Sequence, residues 1–450
     1  MNGQPTTCPD LTTSDAASAE SPFGAVLLTI GDELNRGEII DTNAAFFGTE
    51  LTSLGVPVHQ RVGCNDRLED IAQAVRQAAL VGNLLIVSGG LGPTSDDLTV
   101  DAVACVLGVE PVIEPDHETR MRKLFDDRGL GLTANNLRQV RIPSGAQVLA
   151  NRTGLAPGFS VMLAKTRGFF LPGVPREMKP MFLEQVVPRI RQTLPKQATL
   201  RKVYRTLGLG ESHVDHRLAD LLAKCVPAHV RVSIHYRLAF PEVLVTLLLS
   251  GAEQDHVEQV AGQLDEEVHK RLGSAIYGTG DDDLAQLICS TLVARGATLA
   301  VAESCTGGMI GQALTSVPGS SAYFLGGVIA YGNQVKQSVL GVQEQTLQKH
   351  GAVSEACVRQ MAEGVRQCIG ATYGIAVSGI AGPGGGTIEK PVGTVWLAVA
   401  GPTETVSKLV VRPGDREQIR KIATAATLHV LLKMLRSSPD GSSGLPQSHS

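Results

Sequence analysis

Leu84-Leu85-Ile86-Val87-Ser88-Gly89-Gly90-Leu91-Gly92-Pro93-Thr94-Ser95-Asp96-Asp97-Leu98-Thr99 is the stretch on which the fold of the first half turns. Leu84–Ser88 is a short uncharged run with no wet face, the pattern of a strand covered on both sides, and it ends in a glycine-rich loop. Upstream, Ala25–Ile30 repeats the pattern. Between them a helix is expected over 42–54, with Phe47, Leu51 and Leu54 on one stripe, then a strand over Val56–Val62. A second helix comes next, capped by Asp66 with Glu69 three residues on and with Leu68, Ile71, Ala72, Val75 and Ala79 along one face. Strand–helix–strand alternation requires right-handed crossovers and predicts an α/β, doubly wound parallel sheet. Ligands of such sheets sit beyond the carboxyl ends of the strands, where the loops after Ile30 and Ser88 lie.

Further on, residues 200–275 mix short strands (Arg231–Ile234, Val243–Leu249) with a helix near 253–272, the pattern of a small α+β domain. From Asp281 a third domain, again α/β, opens with a helix bearing Leu284, Leu287, Ile288 and Leu292. Strands are expected at 298–302, 323–331, 373–378 and 393–400, the late pair suggesting a hairpin on a sheet edge, and a terminal helix starts near Asp415. The expected division is 1–23 a disordered tail, 24–195, 200–275, 281–436, and 437–450 a second tail.

A chain of 450 residues exceeds one core, which accords with several domains. A net charge of -4 gives no global attraction to nucleic acid or to an acidic membrane. No apolar run spans a bilayer and no signal peptide is visible, so a cytoplasmic protein without membrane contact is expected. The eight cysteines form no CxxC pair and read as buried thiols.

Ala302-Glu303-Ser304-Cys305-Thr306-Gly307-Gly308 joins a buried strand to a helix start. There a hydroxyl projects from the sheet edge, and the free N–H groups of the helix can hold an oxyanion or a phosphate. A nucleophilic serine needs a base. His350 and His429 sit in helical contexts, whereas Lys336, in Tyr331-Gly332-Asn333-Gln334-Val335-Lys336, comes directly after a strand. A partly desolvated lysine has a lowered pKa and can deprotonate serine, with Tyr331 relaying the proton or bonding the substrate. On spacing alone a helix-capping role for Ser304 and Thr306 is the commoner arrangement. Cys305 is a rival nucleophile, and the pattern of Val301 and Ala302 does not say which side chain faces the cleft. Ser378-Gly379-Ile380-Ala381-Gly382-Pro383-Gly384-Gly385-Gly386 offers backbone to a nucleotide, or is simply a flexible connector.

In the first domain Gly89, Gly90 and Gly92 free the backbone to surround a phosphate. Asp32 and Glu33 after one strand, with Asp96 and Asp97 after another, would repel a bare phosphate, which makes a divalent cation the natural mediator. Capping by the helix dipole explains one such acid well and four convergent ones poorly.

ESCTGG, PGSSAYF, YGNQVK, HGAVSE and SGIAGPGGG with EKPVGTVW occur in order over 280–435. This set resembles the nicotinamide-nucleotide amidohydrolase domain of the CinA family. The resemblance implies hydrolysis of the carboxamide of nicotinamide mononucleotide to nicotinate mononucleotide and ammonia, without metal or cofactor. Ser304, Lys336 and Tyr331 fall on the family's catalytic positions, and substrate contacts are expected at Thr306, Gly307, Gly308, Gly382, Gly384 and Gly385. Gly332 departs from the usual serine. The glycine loop, Asp41-Thr42-Asn43, Gly154–Gly158 and LPGVPREM make residues 24–180 similar to the molybdopterin-binding-type domain of the same family. That likeness implies a Mg²⁺-dependent ADP-ribose pyrophosphatase with Asp32, Glu33, Asp97 and Asp96 at the metal and Gly89, Gly90 and Gly92 at the substrate. Leu155 departs from the small hydroxyl residue usual in its loop.

Residues 201–275 resemble the family's KH-like domain. They hold six of the chain's eleven histidines, but nine Lys/Arg against ten Asp/Glu and no GxxG clamp, so a spacer or dimerisation element is expected rather than nucleic-acid binding. Three classes therefore compete: a bifunctional enzyme of pyridine-nucleotide salvage acting as a homodimer, a molybdopterin-handling protein, and a non-catalytic partner in competence or recombination.

Overall fold

The computed structural model describes residues 23–194 and 198–437. The expected tails fall almost wholly outside them. The chain divides into two compact units, Met1–Thr199 and Leu200–Ser450.

In the first unit, β1 (Ala25–Ile30), β2 (Val58–Cys64) and β3 (Leu84–Ser88) run parallel. β4 (Pro111–Ile113) and β5 (Arg141–Pro143) form a separate antiparallel pair. β6 (Gln147–Leu149), β7 (Gly158–Leu163) and β8 (Thr166–Leu171) complete a six-stranded sheet of order β2-β1-β3-β8-β7-β6. β1 shows why it is doubly wound. Val26, Leu28 and Ile30 enter one core with Ile71, Val75 and Phe170, while Ala25 and Leu27 enter another with Phe47, Leu51 and Phe182. Each such side chain, fully buried, contributes about 1.5–3 kcal/mol of transfer free energy.

Two expectations change here. The sheet is mixed, because β7 pairs antiparallel with β8 and β6 antiparallel with β7. Asp66 does not cap the helix Leu68–Val81, whose cap position is Arg67. Instead the Asp32 amide donates to Asp66 Oδ2 at 2.8 Å and the Asp66 amide to Asp32 Oδ1 at 3.2 Å, a reciprocal link between two strand-end loops.

The second unit begins with β9 (Ala198–Thr206), β10 (Val230–Ala239), β11 (Glu242–Gly251) and β12 (Ile276–Thr279), in the order β10-β11-β9-β12 with helix Gln254–Leu272 against β11. This small domain is continuous with the third one. Leu207 and Tyr277 belong to the core of the third domain, and Arg436 donates to the Tyr277 carbonyl at 2.9 Å.

The third domain has β13 (Leu299–Glu303), β14 (Phe324–Ile329), β15 (Tyr373–Gly379), β16 (Thr394–Ala400) and β17 (Thr405–Val411), in the order β14-β13-β15-β16-β17. The first three are parallel and the last two antiparallel. β17, half exposed and carrying Ser407 and Lys408, lacks the apolar run by which its neighbours announce themselves. Leu299 and Val301 face a core shared with the terminal helix Arg416–Ser437, and Ala300 and Ala302 face the helix Glu355–Ile369.

Candidate active site

The alternation of β13 continues into the turn after it. Cys305 falls on the Leu299/Val301 side, in the core with Ile310 and Leu314. Burial there raises its thiol to about 11, so little thiolate exists near neutrality. Ser304 falls on the side of Ala300 and Ala302, where Ala330 and Cys357 pack. Of the two rival nucleophiles, Cys305 is the one packed into the core.

Lys336 comes from the helix Asn333–Ser338 and is 1% exposed. Its Nζ donates to Ser304 Oγ at 3.3 Å, to the Ala330 carbonyl at 2.8 Å and to the Tyr331 carbonyl at 3.2 Å. Burial pushes the ammonium below its ordinary range, opposed by the nearby thiols Cys357 and Cys305. These donations point Nζ at the serine from the end of the neighbouring strand, β14. Among the described residues no carboxylate pairs with Lys336, so only the thiols and the two accepting carbonyls oppose its loss of charge.

Neither Ser304 nor Thr306 caps the helix Met309–Thr315, as the commoner arrangement would have it. The cap position is Gly308, and the donors of the first turn go to Glu303, a residue the sequence reading passed over. Its carboxylate, 1% exposed, accepts from the amides of Gly308 at 2.9 Å, Ile310 at 3.1 Å and Gly311 at 2.8 Å. The helix start is thereby filled from within the protein. Gly307 donates to the Ser304 carbonyl at 3.2 Å, the Cys305 amide donates to its own thiol, and among the described residues the Thr306 amide donates to no backbone acceptor. Gly307 (φ 60°) and Gly308 (φ 101°) adopt a backbone conformation that side chains disfavour. Thr306 is fully buried with its Oγ1 unpaired, and its carbonyl accepts from Arg420 at 2.6 Å.

The Tyr331 side chain is 61% exposed. Its hydroxyl accepts from Arg416 at 3.0 Å, and only its carbonyl reaches Lys336, so the structure gives the expected relay no direct hydrogen-bond path. Arg416 also donates to the Gly382 carbonyl at 2.7 Å, which ties the glycine loop to Tyr331. Gly382 and Gly385 have φ of 80° and 86°, and Gly384 meets no neighbour in space where a Cβ would point. Lys390, beyond the loop, donates to the carbonyls of His350 and Val353, joining two of the sequence blocks. Gly332 likewise has open space beside it. Arg416 and Arg420 flank an open cavity of about 400 Å³ with Met309 and Gln312. Both arginines escaped the sequence reading; their spacing, one turn apart at a helix start, was the available signal.

In the first unit a cavity of about 120 Å³ opens beyond β1 and β3, lined among others by Thr29, Glu33, Asp41, Asn43 and Ser88. Asn43 donates to Ser88 Oγ at 2.9 Å and to the Gly173 carbonyl at 2.7 Å, leaving Oδ1 buried and unpaired. Of the four expected metal-binding acids only Glu33 lines this cavity. Asp32 pairs with Arg36 at 2.5 Å, Asp97 accepts from the amide and hydroxyl of Thr94, and Asp96 is exposed. Thr94 also lowers the Asp96 pKa. Asp66 is raised, first by burial, with Glu33, Asp32 and Asp96 adding to the rise. The acids are thus near enough to repel, yet among the described residues no three His, Cys, Asp or Glu are grouped to hold a metal ion. Gly89 and Gly90 have positive φ, and a Cβ on Gly92 would meet Asp97. Among the described residues the histidines of the middle domain form no metal group either, and no helix is long and apolar enough to cross a membrane.

Comparison with known proteins accounts for all three domains. Residues 26–192 match a probable molybdopterin binding domain, 201–278 the damage-inducible protein CinA KH domain, and 281–435 the CinA C-terminal domain. A CinA-like protein of Anaeromyxobacter dehalogenans is 40% identical over 91% of this chain and 99% of its own length. Another, from Myxococcus xanthus, is 39% identical over 92% of this chain and 98% of its own length. The competence damage-inducible protein A of Klebsiella pneumoniae, a solved structure, is 40% identical, covering 34% of this chain and 96% of its own at a TM-score of 0.34. The chain belongs to the family of CinA-like proteins.

Proposed function

We propose that the C-terminal domain hydrolyses the carboxamide of nicotinamide mononucleotide, releasing ammonia and nicotinate mononucleotide. One observation carries the reading: a buried lysine with a lowered pKa, lacking a carboxylate partner among the described residues, donates to the hydroxyl of Ser304 at 3.3 Å. Neutral Lys336 accepts the Ser304 proton as Oγ attacks the carboxamide carbon. The Thr306 amide, with no backbone acceptor among the described residues, is the available donor for the oxyanion. Lys336 returns the proton to the departing nitrogen, and ammonia leaves an ester on Ser304. Water attacks that ester, with Lys336 taking its proton and restoring it to Ser304. Thr306, Gly307 and Gly308 line one side of the substrate, and Gly382, Gly384 and Gly385 the other. Arg416 and Arg420 offer charge to the nucleotide phosphate, and Tyr331, held by Arg416, contacts substrate at the rim. Ammonia release measured on wild type and Ser304→Ala tests the reading; normal release by the variant sinks it.

For the N-terminal domain we propose a metal-dependent ADP-ribose pyrophosphatase. The cavity at the strand ends, into whose lining Glu33, Asp41 and Ser88 fall beside Asn43 with its unpaired Oδ1, supports a ligand with polar groups there. Gly89, Gly90 and Gly92 would border its phosphates. Among the described residues Asp32, Glu33, Asp96 and Asp97 do not converge as a metal group, so a bound ion would have to draw them together. AMP release from ADP-ribose, with and without Mg²⁺, decides the matter; its absence under both conditions overturns the proposal.

A further inference from the structure

Glu303 stands at the end of β13, immediately before the proposed nucleophile, with its side chain 1% exposed. Its three acceptor contacts are all to backbone amides that lie beyond the turn, at Gly308, Ile310 and Gly311. The chain therefore leaves Glu303 through its backbone, passes Ser304–Gly307, and returns to the Glu303 carboxylate. One residue holds both ends of the turn that carries the nucleophile.

This closed loop has two consequences. First, it limits where Ser304 Oγ can go, and the opposing member of the pair is equally held, since Lys336 Nζ is tied to two carbonyls. A contact of 3.3 Å between two side chains so anchored is set by the anchors. Second, the carboxylate consumes the donors of the helix start. Within the turn, Gly307 donates to the Ser304 carbonyl and Cys305 to its own thiol, which leaves the Thr306 amide without a backbone acceptor among the described residues. A neutral residue in place of Glu303 would release the helix-start amides to compete for a developing negative charge at the wrong place.

We propose that Glu303 is a positioning residue: its carboxylate clamps the Ser304 turn so that the hydroxyl meets Lys336 and the Thr306 amide faces the reacting carbonyl. The inference rests on the serine–lysine reading above. It does not depend on the identity of the substrate.

The chemistry of the contact supplies the test. Glu303→Gln keeps the shape but replaces one oxygen with an N–H₂ group, which must face either Gly311 or the Gly308/Ile310 pair donor to donor. Glu303→Asp keeps both oxygens but is one methylene short of the three amides. Both variants are made in the full-length chain, with thermal unfolding as the check on folding. Each is assayed for ammonia release from nicotinamide mononucleotide and for labelling of Ser304 by a small fluorophosphonate, located by peptide mass mapping.

The expected result for folded Glu303→Gln is a fall on the order of a hundredfold in both kcat and labelling rate, with KM within about threefold, because misplacement by about 1 Å costs that much. Glu303→Asp is expected between the two. If Glu303→Gln does not fold, the Asp variant decides. Labelling at the wild-type rate in either folded variant overturns the proposal, as does a loss confined to KM. Wild type labelled at Ser304 without releasing ammonia refutes the substrate reading and leaves the clamp standing. Wild type unlabelled at Ser304 overturns both.

Discussion

Two turns in this chain share the same parts, a buried strand, glycines, an acid and a helix start, and they use the acid oppositely. In the turn after β13, Glu303 is buried and its carboxylate is saturated by three amides of the helix it precedes. In the turn after β3, Asp96 is exposed and Asp97 bends back onto Thr94. In the first arrangement the carboxylate is satisfied by the protein, and Lys336 contacts Ser304 beside it. Near the second, the Asp66 pKa is raised first by burial, with Glu33, Asp32 and Asp96 adding to the rise and the Asp32 amide opposing it. A carboxylate absorbed into the backbone asks for no further partner, whereas carboxylates without one favour added positive charge.

The largest expected effect separates the two sites outright. Lys336→Ala should lower ammonia release by about 10²–10⁴-fold, the range for loss of a general base, and leave AMP release from ADP-ribose unchanged. Parallel loss of both activities would show that the two sites are not independent.

Next comes metal removal. A chelator should abolish AMP release and leave ammonia release at its original rate. Ammonia release that falls with chelator and returns with Mg²⁺ would break the contrast at its root.

The pH profile tests the same contrast more finely. Lys336 must be neutral to accept the Ser304 proton, so ammonia release should rise with pH as Lys336 loses its proton. Because burial lowers its pKa, the inflection should lie below the ordinary lysine value of about 10.4. A profile that falls over that range, or inflects at the ordinary value, contradicts a desolvated base.

Much of the fold could be read in advance, for a physical reason. β1 and β3 are uncharged runs, and β13 is one as far as Glu303, because both of their faces are covered, and such runs stand out in any sequence. β17 did not stand out because an edge strand mixes Ser407 and Lys408 with its apolar residues. Asp66 misled for the opposite reason: it has Glu69 at the right interval, yet spends its carboxylate on Asp32, 34 residues away. Ser304 and Lys336 were nameable singly, but their contact spans 32 residues and exists only because β14 lies beside β13. Glu303, one residue from the nucleophile, was hidden, because an acid before a helix does not reveal whether it faces water or its own amides. Arg420 reaches the turn from 114 residues downstream, farther than any spacing rule extends.

The smallest expected effect bears hardest on the identity of the nucleophile. Cys305 adjoins Ser304, and a thiol is the better nucleophile when ionised. Here it packs against Ile310 and Leu314 with its pKa pushed up to about 11, so it serves as a small apolar side chain. Cys305→Ala should therefore leave kcat for ammonia release within about threefold of wild type and cost roughly 1 kcal/mol of stability, at the low end for lost core atoms. Cys305→Ser should cost more stability than Ala, since it places a hydroxyl among apolar neighbours. If instead Ala abolishes turnover while Ser preserves it, the chemistry belongs to position 305. The Lys336–Ser304 contact would then be a buried hydrogen bond without catalytic meaning, and the contrast between the two turns would rest on Glu303 alone.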